Sequence, residues 1–333
     1  MTTNVLSGLS EKVFSFKAVD PQLTEITPPQ DRAFSADPEK KSLLSAARQV
    51  KHLTPYIGTE IVGVQLSQLT PQQKDDLALL VAERGVVFFR AQDLTLEQQH
   101  DFIEHYGIQD RDPQQVDPRH VTILGRGGDI RQYGRTGSGE YHSDHSFEIN
   151  PPAYTLLRVV RTPEFGGDTI FTSQTALYDK LSPTFQKIFE GLHAVHSSDQ
   201  SFLDAVNNDV KTFRYPVRNE HPLIRTHPVT NLKSLFYNPS FVIHISELKN
   251  QEAIHTLNFL REHLHSADDL SVRWKWEPDS VAFWDNRVVV HRAVPGGYNV
   301  EEREGKRTAI YGERPFYDPK GQSLSVWNET HSL

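Results

Sequence analysis

Ser280-Val281-Ala282-Phe283-Trp284-Asp285-Asn286-Arg287-Val288-Val289-Val290-His291 reads as two apolar strands joined by a tight polar turn. Ser280–Trp284 and Val288–His291 supply the β-branched and aromatic residues that favour a pleated, buried surface, and Asp285-Asn286 supplies the turn. Short strands of the same kind surround this stretch: Ala153–Val160, Thr169–Thr172, Leu192–Ser197, Pro222–Thr226, Ser234–Tyr237, Arg273–Trp276 and Arg307–Gly312. Two helices interrupt them, Thr175–Leu181 extended through Pro183–Gly191, and Glu247–Ser266. Many short strands separated by turn signals predict a mostly β fold with flanking helices (α+β), built on a double-sheet jelly-roll, or cupin-like, core.

Toward the amino terminus, Glu60–Leu66 alternates polar and apolar residues as a half-buried strand does. Thr70-Pro71 opens a helix with Leu77, Leu80 and Val81 on one face, and Gly85 ends it. Val86–Arg90 is a short apolar strand, and a second helix starts at Thr95 with Leu96, Phe102 and Ile103 inward. Residues 1–50 are polar and broken by Pro21, Pro28, Pro29 and Pro38, which predicts a loosely ordered arm. Residues 51–325 are expected to form one domain with two polar insertions acting as lids, at about 107–140 and 198–220.

Composition bounds the function. With 333 residues, 23% charged and 37% hydrophobic, the chain can bury a large core. A net charge of −8 without a basic run argues against nucleic acid as the main partner. No apolar stretch is long enough to span a bilayer, and Met1–Phe16 lacks the apolar run of a secretory signal, so a cytoplasmic protein is expected. The absence of cysteine excludes disulfides, thiolate zinc sites, cysteine-ligated clusters and cysteine nucleophiles.

Tyr141-His142-Ser143-Asp144 and the distal His291 then supply two imidazoles and a carboxylate. Such a set on one face of an ion leaves about three positions open opposite, which suits Fe(II) in oxygen-activating enzymes. His142 and Asp144, two apart on a strand or its end, are expected to point the same way. Arg303 and Arg307 follow as cations suited to an acidic co-substrate. Other histidine pairs compete: His142/His145, His193/His196 and His263/His265. The last lies in a helix, where residues two apart face away from each other.

The chain resembles the taurine dioxygenase-like (TauD/TfdA) branch of Fe(II)- and 2-oxoglutarate-dependent dioxygenases from about Leu53 to Phe316. The resemblance rests on Tyr141–Phe147 followed by Pro151-Pro152, Gly166-Gly167-Asp168-Thr169, His221–Pro228, Trp284–His291 and Lys306–Ile310, in that order. Fungal sulfonate dioxygenases are similar around Ser280–Asn286 and Leu192–Ser198. The resemblance implies that His142, Asp144 and His291 bind iron, that Thr169 and Arg303 grip the distal carboxylate of 2-oxoglutarate, and that Arg307 holds the anionic end of the substrate. The spacing from His291 to Arg303 is one residue longer than the commonest in the family, so either arginine could serve 2-oxoglutarate. Asp144 sets the chain apart from halogenating relatives, which lack this carboxylate. The implied reaction uses O2, converts 2-oxoglutarate to succinate and CO2, and hydroxylates, cleaves or cyclises the substrate. A dimer or tetramer is also implied.

One departure bears on the substrate. Taurine-type relatives carry a His-x-His-Pro turn where this chain reads Tyr106-Gly107-Ile108-Gln109-Asp110-Arg111-Asp112-Pro113. Asp112 is therefore expected to receive an ammonium group, with Arg307 on a carboxylate or sulfonate, as a zwitterion would need. His145 and the loop Thr136–Glu140, including Ser138, are expected to line the same pocket. The contrasting reading is a cupin-like protein that binds a metal or ligand without turnover, which would not need the Thr169/Arg303 clamp.

Overall fold

The computed structural model describes residues 17–18, 20–112, 116–125, 140–207 and 214–331. Its first part runs α1 (Lys41–Ala46), β1 (Gln49–His52), β2 (Thr59–Val62), α2 (Pro71–Arg84), β3 (Val86–Phe89) and α3 (Leu96–Glu104). Thr70 and Thr95 cap α2 and α3 as the sequence predicts, each in a reciprocal capping box with the glutamine three residues on. Next come β4 (Val121–Leu124), β5 (Pro152–Arg161), β6 (Thr169–Ser173), α4 (Gln174–Asp179), α5 (Pro183–Phe189), β7 (His193–Ser197) and α6 (Asp199–Asn207). The remainder is β8 (Arg218–Pro222), β9 (Ile224–Thr226), β10 (Lys233–Leu235), β11 (Val242–Ile245), α7 (Asn250–His265), β12 (Ser271–Trp274), β13 (Ser280–Asp285), β14 (Val289–Ala293), β15 (Glu304–Tyr311) and α8 (Leu324–Thr330).

A seven-stranded sheet in the order β1-β2-β3-β13-β5-β15-β4 forms one wall, and three-stranded sheets β12-β6-β14 and β11-β7-β8 lie apart from it. Strand alternation explains the layering. Val87 and Phe89 join the cluster with Leu77, Val81 and Phe102 of α2 and α3, whereas Val86 and Phe88 pack with Phe171, Trp274 and Val289 of the smaller sheet. β3 is apolar throughout because both of its faces are covered. The double-stranded β-helix, or jelly-roll, core expected from the strand pattern is present.

Several expectations needed correction. Residues 1–50 do not form a loose arm over their described part: Ala33 and Leu43 are core residues, and Asp31 pairs with the buried Arg287 at 2.8 Å. Proline and charge signalled looseness, but one buried arginine recruits the segment. The long helix expected from Thr175 to Gly191 is two helices, because Ser182 caps α5 and Pro183 occupies its first turn. The expected strand Pro222–Thr226 belongs to two sheets, with β8 pairing β7 and β9 pairing β10.

Candidate active site

The turn after β13 delivers His291 against His142. The two are direct antiparallel partners, His142 N donating to His291 O at 3.0 Å and His291 N to His142 O at 2.8 Å. Cross-strand partners share a face, so their rings meet with centroids 4.3 Å apart. Asp144 follows at the end of this pairing. The backbone turns at Asp144 instead of continuing as a strand, and the Asp144 N–H donates to Asn286 Oδ1 at 3.0 Å.

The Nε2 atoms of His142 and His291 each lie 3.8 Å from Asp144 Oδ1, and one ligand atom from each of the three falls within 4.8 Å of the others. That is too long for hydrogen bonds, yet two metal–ligand bonds of about 2 Å each span such a gap. His142 Nδ1 sits 3.1 Å from Glu140 O. A carbonyl only accepts, so Nδ1 carries the proton and Nε2 keeps its lone pair for an ion. Glu140 is itself anchored by Arg261 and His265 of α7. His291 lies against Phe171 and Trp284, and burial followed by the neighbouring His142 lowers its pKa to about 3, leaving it neutral. Burial alone would raise the Asp144 pKa, but the opposing pull, led by the adjacent Arg307 guanidinium, outweighs it and holds the carboxylate ionised. Two neutral imidazoles and an ionised carboxylate are a fitting donor set for Fe(II).

Asp144 is oriented from behind. Its Oδ2 accepts from Thr155 Oγ1 at 2.9 Å, and that hydroxyl accepts from Asn286 Nδ2 at 2.8 Å. Asn286 Oδ1 also accepts from Trp284 Nε1 at 3.0 Å, so the turn holds the carboxylate by two routes.

The two arginines have different neighbours. Arg303, 2% exposed, donates from Nε to Gly167 O at 3.0 Å, with its guanidinium 5.8 Å from the Trp276 ring centre. Trp276 Nε1 in turn donates to Thr169 Oγ1 at 3.0 Å, so Thr169 and Arg303 flank one indole. Gly167 has φ +70°, and a Cβ there would stand 3.1 Å from Arg303 Cδ, which explains the Gly166-Gly167 pair. Arg307 instead donates to Asp144 Oδ1 at 2.8 Å.

Beside Arg307, His145 adopts φ +42° and faces Asp110 Oδ2 at 3.2 Å. Burial alone would lower the His145 pKa, but Asp110 raises it above the ordinary value. A cavity of ≈ 170 Å³ opens here, lined in part by Asp110, Asp112, His145, Phe147, Phe202 and Arg214. Asp112 lines this cavity, and the carboxylate that meets His145 is Asp110. Ser138 and residues 136–139 of the expected pocket loop lie outside the described residues.

Thr155, Trp276 and Asp110 were missed by sequence reasoning, and Glu140, expected only as part of the pocket loop, meets His142 Nδ1 through its carbonyl. Thr155 carried a weak signal, as a polar residue between Ala153-Tyr154 and Leu156-Leu157. The competing histidines resolve into other partnerships: His193 with Glu247, His196 with Ser146, His263 with Leu177 O and His265 with Glu140. Among the described residues, no helix is long and apolar enough to cross a membrane.

Comparison with known proteins agrees with this geometry. The family model "Taurine catabolism dioxygenase TauD, TfdA family" matches residues 49–309. The alpha-ketoglutarate-dependent sulfonate dioxygenase of Saccharomyces cerevisiae is 39% identical over 286 residues, covering 82% of this chain and 69% of its own. The crystal structure of a taurine dioxygenase from Burkholderia xenovorans superposes with a TM-score of 0.69 at 32% identity, covering 83% of this chain and 94% of that one. AAD-2 in complex with Mn(II) and N-oxalylglycine gives a TM-score of 0.65 at 25% identity, covering 80% and 98%. A donor triad on a jelly-roll core and a family match across most of its length converge: this chain belongs to the TauD/TfdA family and is a 2-oxoglutarate-dependent dioxygenase, not a cupin-like binder without turnover.

Proposed function

We propose that His142, Asp144 and His291 bind Fe(II), that Thr169 and Arg303 hold the distal carboxylate of 2-oxoglutarate, and that the cavity beside His145 and Arg307 takes a small anionic or zwitterionic substrate such as a sulfonate or amino acid. The observation that supports this reading is that one member of each set lies on a paired strand, His291 on β14 and Thr169 on β6. His291 pairs with Phe171 of β6, and Thr169 lies two residues along the same strand. One two-residue repeat is about 7 Å, comparable to the length of a five-carbon diacid. Iron bound at the triad supplies the oxidising chemistry, with O2 and 2-oxoglutarate as co-substrates.

The chain's own residues do the rest. Thr169 Oγ1 already accepts from Trp276, so its hydroxyl hydrogen is available to a carboxylate. Arg303 offers a fixed cation in a buried setting, where a charge-assisted hydrogen bond is strong. Arg307, bonded to Asp144 Oδ1, stands where it can turn toward an anionic substrate group. Asp110 and Asp112 line the same cavity together with Arg111 and Arg214, and this mixed charge suits a substrate that carries both an anionic and a cationic group. Of the two expected lid insertions, the described residues Asp110, Asp112, Ser198, Phe202, Ala205 and Arg214 line this cavity, while 113–115, 126–139 and 208–213 lie outside the described residues. Cytoplasmic operation and self-association are part of the proposal, to be read by fractionation and light scattering.

The test is succinate release with Fe(II), 2-oxoglutarate and a panel of sulfonates, sulfate esters, amino acids and aryloxy acids. At least one panel member should accelerate release in the wild type and none in His142→Ala. Equal rates in the two proteins with every compound would overturn the assignment. If the best substrate bears an amine, Asp112→Ala should weaken its binding, and unchanged affinity removes Asp112 from the proposal.

A further inference from the structure

Among the described residues, a second group of potential ligands lies outside the triad: His100 on α3, with Asp117 and His120 in the approach to β4. One ligand atom from each lies within 4.8 Å of the others. Among the described residues, neither ring nitrogen of His100, which is 1% exposed, has a hydrogen-bond partner, and His120 Nδ1 is buried in the same state. An imidazole always carries a donor or acceptor on each nitrogen, and leaving such a group unmet in the interior costs stability. An apolar side chain would fill that space without the cost. The two rings face each other with centroids 5.4 Å apart, close to Asp117 Oδ2 at 4.0 Å from His120 Nδ1. Glu97 Oε2 lies 3.8 Å from His100 Nδ1 and offers a further oxygen.

We propose that His100, His120 and Asp117, with Glu97 as an additional donor, form a second site for an imidazole-preferring divalent transition ion such as Zn(II). Two imidazoles with carboxylate oxygen are a recognised zinc donor set. Arg119 tempers the site, since it pairs with Asp117 at 2.8 Å and with Glu97 at 2.9 Å. A carboxylate has lone pairs enough for both an arginine and an ion, so the two share it and compete for it. The site ties α3 to the cavity wall: Gln109 Nε2 donates to Arg119 O at 2.6 Å, and the Asp112 N–H to Pro118 O at 2.9 Å. An ion there fixes the segment that carries Asp110 and Asp112 without touching the reacting centre.

Zn(II) titration of the full chain against a chromophoric chelator tests this. The wild type should take up two equivalents, and both His100→Ala and the His142→Ala/His291→Ala variant should take up one. Loss of His100 should weaken the second equivalent by more than the roughly 100-fold that loss of an outer-shell partner costs. Arg119→Gln should tighten it by freeing both carboxylates. His120→Gln reports on the same site should His100→Ala fail to fold. The proposal falls if the wild type binds one equivalent, or if His100→Ala and His120→Gln both still bind two.

Discussion

Thr155→Val offers a sharp test of how Asp144 is held. The substitution keeps the β-branched shape of a fully buried residue on β5 and removes one hydroxyl. That hydroxyl donates to Asp144 Oδ2 at 2.9 Å and accepts from Asn286 Nδ2 at 2.8 Å. Two effects oppose each other. Removing a donor leaves more charge on Asp144 for a cation, but it also lets the carboxylate rotate away from the two imidazoles and toward Arg307. It further strands a buried amide hydrogen whose other acceptor, Ala153 O, is at 3.3 Å. Loss of an outer-shell partner typically weakens metal binding about 10- to 100-fold. That equals about 1.4 to 2.7 kcal/mol, so orientation is expected to win. Anaerobic calorimetric titration with Fe(II), or with Mn(II) as a redox-inert probe, reads the effect directly. Thr155→Ser, which keeps the hydroxyl, should stay within a few-fold of the wild type. Equal affinity of Thr155→Val and wild type would refute the orienting role, as would an equal loss in Thr155→Ser.

Further outcomes follow from the same structure. Arg303→Met should raise the KM for 2-oxoglutarate about 30-fold or more, since losing a buried charge-assisted contact costs at least about 2 kcal/mol, while metal binding is retained. Arg307→Met should act mainly on the primary substrate, and a reversed pattern would exchange the two roles. Buried His196 and His221 have folded-state pKa values below 6.5, the latter about 3, first through burial. The unfolded chain therefore binds more protons below pH 6.5, and stability should fall as pH drops through that window, by up to about 1.4 kcal/mol per pH unit per histidine. Urea denaturation at pH 7, 6 and 5 checks this, and a flat profile would contradict it. Asp31→Ala should destabilise the fold by about 2 kcal/mol, less than the full cost of breaking a buried pair because Arg287 keeps Asp285 at 2.6 Å. Chemical denaturation would expose a surface-like loss below about 0.5 kcal/mol, which would return residues 17–50 to the status of a loose arm.

What could be read from the chain depended on separation. Caps at Thr70 and Thr95, the apolar strand at Val86–Phe89 and the strand ending in His291 each announce themselves within a few residues. The Ser182-Pro183 break was misread because helical periodicity continues across it, although a capped serine before proline is a local start signal. Asp31, by contrast, sits among prolines and charges, and only its distant partners Arg287 and Tyr154 reveal that it is packed. The His100–Asp117–His120 group was overlooked because a helix and a loop bring together residues that form no short motif.

The residue types that can carry the chemistry are legible in the linear chain, because His142, Asp144, His291, Thr169 and Arg303 lie in short patterned stretches whose side-chain periodicity and family likeness are local properties. Their partnerships come from the assembled fold: Arg303 with Thr169 across an indole, Arg307 with Asp144, Asp110 with His145, and Thr155 with Asn286 behind the carboxylate. Those pairings depend on strand register and sheet order. A single-residue slip of β15 against β5 would turn Arg307 to the opposite face, and no stretch of the linear chain encodes that choice alone.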